Sequence, residues 1–148
     1  MESTHTTPSD FFTGFTPADV ENSIVARFEQ MVRQFPNHTA VAANQRYSYA
    51  ELNRRANLIA QAVLERCGQG NEPVALLLGH DAPAIAAILG VLKAGKIYVA
   101  LNPSQPAARL RMLLDDLQAP LLITDAEHQL LAAELSPHLL NLQDVGQA

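Results

Sequence analysis

Read from the first residue, the chain shows no steady hydrophobic period until about position 20. Residues 1–20 are polar and threonine-rich, and Pro8, Gly14 and Pro17 interrupt any repeat, so they read as a leader or linker. Apolar residues then fall at Ile24, Phe28, Met31 and Phe35, with Val25 and Val32 widening the stripe; this spacing predicts an amphipathic helix. Asn22 or Ser23 suits its N-cap, and Pro36 stops it. Thr39 to Ala43 and Arg46 to Ser48 read as two short strands turning at Asn44-Gln45. Ser48 and Glu51 have the S-x-x-E spacing of a capping box. Leu52, Ala56, Ile59 and Val63 stripe the helix that follows, Arg54, Arg55 and Glu65 fall off the stripe, and Gly68 and Gly70 close it.

From there the pattern alternates strand and helix. Pro73 to Leu78 is a continuous apolar run, as expected of a strand covered on both faces. Asp81 suits the cap of a helix running to Ala94 and ending at Gly95. Ala84, Ile85, Ala87, Ile88, Val91 and Leu92 make that helix apolar nearly all round, which predicts deep burial. Ile97 to Leu101 is a second strand. Leu110, Leu113, Leu114 and Leu117 stripe a third amphipathic helix, on which Arg111 and Asp115 are spaced for an i,i+4 ion pair. Leu121 to Thr124 is a third strand, Ala126 to about Leu135 a last helix, and the remainder a tail without a clear period. Strand–helix–strand–helix–strand with short connections predicts the α/β class, with a parallel sheet and crossover helices preceded by a helix and a short β-hairpin. Residues 21–148 read as one unit.

Composition narrows the function classes. The 148 residues carry a net charge of −5, and lysine occurs only at Lys93 and Lys96, so no basic patch for nucleic acid is present. No apolar run approaches the ~20 residues that span a bilayer. The N-terminus lacks the basic-then-apolar order of a signal peptide, and the expected setting is cytoplasmic. Cys67, the single cysteine, excludes a disulfide framework and a thiolate zinc site and reads as a structural thiol.

Candidate chemistry is sparse. No G-x-x-x-x-G-K-[ST] loop occurs, and Gly68-Gln69-Gly70 precedes a strand, whereas the dinucleotide fingerprint follows one. No G-x-S-x-G elbow occurs; Ser104 and Ser136 sit beside prolines and read as loop or cap serines. His80 and Asp81 fall at the C-terminal end of a parallel strand, a common ligand position, although an N-cap beside a loop histidine accounts for them more simply. Glu127, His128, Glu134 and His138 do not fall on one helix face as a ligand set would, so they read as surface charge. Adjacent Asp115 and Asp116 point in different directions on a helix and require no acid–base role.

Several segments resemble the adenylate-forming superfamily, most clearly the amino-acid-activating adenylation domains of nonribosomal peptide synthetases. The resemblance begins at Arg33-Gln34-Phe35-Pro36 with His38-Thr39-Ala40-Val41. Tyr47-Ser48-Tyr49-Ala50-Glu51-Leu52-Asn53-Arg54-Arg55-Ala56-Asn57 is similar to the family's first core motif. Leu92-Lys93-Ala94-Gly95-Lys96-Ile97-Tyr98-Val99-Ala100-Leu101-Asn102-Pro103 is similar to the second, and Pro106 to Arg109, Leu113 to Asp116 and Leu121 to Thr124 continue in family order. Two positions depart: the family usually has proline at Ala100 and aspartate at Asn102, and asparagine there is commoner in acyl-CoA synthetases. Both motifs are mainly structural, so the resemblance transfers no catalytic, cofactor-binding or metal-binding residue.

For a complete relative, the resemblance implies ATP- and magnesium-dependent activation of a carboxylate to an acyl-adenylate, then transfer to a thiol. The phosphate loop, the magnesium-linked glutamate, the ribose aspartate and the catalytic lysine all follow the matched region in the family. The expectation is therefore an N-terminal portion of an adenylation domain, inactive alone, with its remaining motifs encoded downstream. An acyl-CoA synthetase-like fragment, half of a split ligase and a non-catalytic interaction module are the alternatives. Expected partners are the missing remainder of the domain or a synthetase module, and self-association is expected of the isolated chain.

Overall fold

The computed structural model describes residues 15–146; the first fourteen residues of the expected leader lie outside it. Pro17 starts structure where the sequence suggested a break: Pro17–Glu21 is one turn of 3-10 helix. Asp19 accepts hydrogen bonds from the Thr16 backbone N–H at 2.7 Å and the Thr16 hydroxyl at 2.9 Å. Proline's fixed φ and missing donor suit it to a first helical position.

Ser23 is the cap of α1 (Ile24–Gln34), its hydroxyl accepting from the Ala26 N–H at 3.0 Å. β1 (Thr39–Ala42) and β2 (Arg46–Ser48) form the expected antiparallel hairpin. α2 (Tyr49–Cys67) begins at Ser48, whose hydroxyl accepts from the Glu51 N–H at 3.1 Å. Only that half of the capping box is formed. The Glu51 carboxylate instead takes the Arg55 guanidinium at 3.1 Å, since an ionised donor makes the stronger bond. Leu52, Ala56, Ile59 and Val63 are all buried, as the stripe predicted, together with Ala60.

The remaining chain is a doubly wound sheet. β3 (Pro73–Leu77), β4 (Ile97–Ala100), β5 (Leu121–Thr124) and β6 (Leu139–Asn141) are parallel in the order β4-β3-β5-β6. α3 (Ala82–Lys93) joins β3 to β4, α4 (Ala107–Leu117) joins β4 to β5, and α5 (Gln129–Leu135) joins β5 to β6. The chain reverses direction across the sheet after β4, and one crossover hand then places α4 opposite α3. On one face, Val74, Leu76, Leu78, Leu121, Ile123 and Leu140 pack with α2 and α3; on the other, Ala75, Leu77 and Leu122 pack with Leu110 of α4 and Ala132 of α5. Buried Thr124 is satisfied by donating to the Leu77 carbonyl at 3.1 Å. No helix among the described residues is long and apolar enough to cross a membrane.

Four expectations are corrected. The tail supplies β6 and a 3-10 turn (Leu142–Asp144), with Leu140 in the core and Leu142 and Val145 packed against it. Its apolar residues are thus used within the described fold; a three-residue strand is too short to show a period. α5 starts at Gln129 because the Asp125 carboxylate accepts from the His128 N–H at 2.9 Å and holds residues 126–128 as a turn. Arg111 and Asp115 are exposed and make no ion pair, a contact worth only tenths of a kcal/mol in water. Finally, α3 is not covered all round: Ile85 is 40% exposed.

The tightest approach is between α2 and α3. A Cβ at Gly90 would lie 2.6 Å from Ile59 Cγ2 and 2.9 Å from the Ala56 carbonyl oxygen. Mid-helix glycine costs about 1 kcal/mol relative to alanine, and the interhelical contact it permits offsets this. Gly95 matters differently: its φ is +75° and a Cβ there would meet nothing within 4 Å, so any penalty for a side chain is purely conformational.

Two outcomes follow for thermal or urea unfolding. Gly90→Ala should lower stability despite alanine's better helix propensity, because overpacking costs typically about 1–3 kcal/mol; a melting temperature at or above wild type would mean that the helices are further apart. Gly95→Val should cost more than about 1 kcal/mol, and Gly95→Asn less, since asparagine tolerates the left-handed region. Equal stability of the valine variant and wild type would contradict the positive φ.

Candidate functional site

The strand order reverses between β3 and β5, and their C-terminal ends open there into a cleft of about 420 Å³. In open α/β sheets this crevice is the usual place for a ligand. Its walls come from the hairpin (Gln45, Tyr47), α2 (Arg55), the β3–α3 turn (Gly79, His80, Asp81), the turn after β5 (Asp125, Glu127) and Leu142 and Gln143 of the C-terminal segment.

Most of these groups hold the scaffold. Asp81 does cap α3: one carboxylate oxygen accepts from the Ala82 N–H at 2.8 Å and from the Gln45 N–H at 3.1 Å, tying the hairpin to the helix. His80 is exposed beside it. Buried Tyr47 donates to Gln45 Oε1 at 3.2 Å and carries the Arg55 guanidinium over its ring at 4.4 Å; burial raises its pKa.

Asp125, which the sequence reading passed over, is the best-connected residue of the cleft. Its carboxylate accepts from the Gly79 N–H at 2.9 Å and the His128 N–H at 2.9 Å, and pairs with His128 Nδ1 at 2.7 Å. Burial pushes its pKa up, but the hydrogen bonds from Gly79 and His128 win and hold it below the ordinary carboxylate range. It therefore stays ionised and clamps the ends of β3 and β5. The available signal was its place directly after a buried strand, where a short acceptor meets the N–H groups of the next turn.

The other candidates are dispersed. His128 is committed to Asp125, while Glu127, Glu134 and His138 are exposed. Among the described residues no three His, Cys, Asp or Glu side chains are placed to hold a metal ion. The Ser104 N–H bonds Asn102 Oδ1 at 3.0 Å and Ser136 Oγ accepts from the His138 N–H at 3.2 Å, so both serines belong to loops. An aspartate at position 102 would make the same turn. Asp115 and Asp116 are exposed near the end of α4. Burial raises the pKa of Cys67, against thiolate reactivity.

Both lysines are also occupied. Lys93 Nζ lies 2.6 Å from Glu29 Oε1, tying α3 to α1. Lys96, its side chain fully buried, bonds Glu72 Oε2 at 2.5 Å and the Gly68 carbonyl at 2.7 Å; that hydrogen bond holds the Glu72 carboxyl below its ordinary pKa. A nucleotide triphosphate needs converging cations or free backbone N–H groups. The cleft offers three carboxylates and one guanidinium already held by Glu51, and the first N–H of α3 is taken by Asp81. These residues do not fit ATP with magnesium.

Comparison with known proteins places this arrangement. The family model described as AMP-binding enzyme matches residues 28–147. Tyrocidine synthase 2 of Brevibacillus parabrevis is 38% identical over 128 residues, covering 85% of this chain and 4% of the synthase. Surfactin synthase subunit 1 of Bacillus subtilis (strain 168) is 34% identical over 125 residues, covering 84% of this chain and 4% of that subunit. The AMPPNP-bound form of the nonribosomal peptide synthetase FmoA3 superposes with a TM-score of 0.74 at 28% identity, over 84% of this chain and 14% of that one. The chain thus spans a small part of the length of these relatives. With the family model covering most of its residues, the chain belongs to the AMP-binding enzyme family.

Proposed function

We propose that these residues form the N-terminal sheet subdomain of an amino-acid-activating adenylation unit of the nonribosomal peptide synthetase type, and that their part there is structural. The observation that carries this reading is the match of 38% identity to tyrocidine synthase 2 across 85% of the chain. In such a unit the α2–α3 layer and the β3/β5 ends would provide a rigid wall, and other sequence would supply the groups that grip ATP and magnesium. The role is non-catalytic because the single guanidinium of the cleft, Arg55, is committed to Glu51, and both lysines are committed to Glu29 and Glu72. Positioning and electrostatic stabilisation carry most of the catalysis of phosphoryl-type transfers, and the cleft presents neither to a triphosphate.

The test is ATP–pyrophosphate exchange with the purified 148-residue chain, using the proteinogenic amino acids and a panel of fatty acids. The expected outcome is exchange indistinguishable from a buffer control for every substrate. Exchange above that control, surviving a second purification, would overturn the structural role.

A further inference from the structure

We draw no further inference here: the strongest candidate, the cavity of about 110 Å³ lined by Arg54 and Leu58 of α2, Pro83 and Ala86 of α3 and Val145 of the C-terminal segment, carries nothing because nothing in the structure shows what covers it.

Discussion

The approach of α3 to α2 is the constraint from which the rest of the structure follows. Only a residue without a Cβ lets Ile59 and the Ala56 carbonyl sit where they do against Gly90. Buried alanines at 56, 60, 86 and 87 continue the same close seam. Interiors packed to crystal-like density do not stretch to fill gaps, so this spacing sets how low both helices lie on the sheet. Val74, Leu76, Ile123 and Leu140 are buried beneath that layer. The hairpin is positioned by it in turn, since Asp81 at the start of α3 holds the Gln45 N–H.

Polar chemistry in this fold is spent on joining elements. Lys93 joins α3 to α1, Lys96 fastens the loop after α2 to the start of β4, and Asp125 joins the ends of β3 and β5. Arg66 donates to the Leu139 carbonyl at 2.7 Å and so holds β6 near the end of α2. Ionised groups held this way are fixed and largely satisfied, which suits a wall and does not suit a phosphate grip. The cleft has the location of an α/β ligand site without a set of free cationic partners.

The elements were largely legible in the pattern because burial follows period. The stripes of α2 and the apolar run of β3 bury the residues they implied, and Ser23, Asp81 and Gly95 mark helix ends through local backbone geometry. The polar joints were not legible in this way. Asp125 meets Gly79 across 46 positions and Lys93 meets Glu29 across 64, and no local spacing encodes such pairs. Arg111 and Asp115 have helical spacing yet stay apart, because nothing buries them.

By itself, then, the sequence determined the α/β class, the order of helices and strands, most of their caps and the resemblance carried by its two core motifs. Those properties arise from interactions among residues a few positions apart. Tertiary structure alone decided that Leu139–Asn141 is a strand, that α3 keeps one open flank and that both lysines are taken. Each of these depends on what lies opposite a residue in space. A three-residue strand or a paired lysine has the same local sequence whether or not its partner arrives, and the partner arrives only when the sheet has formed.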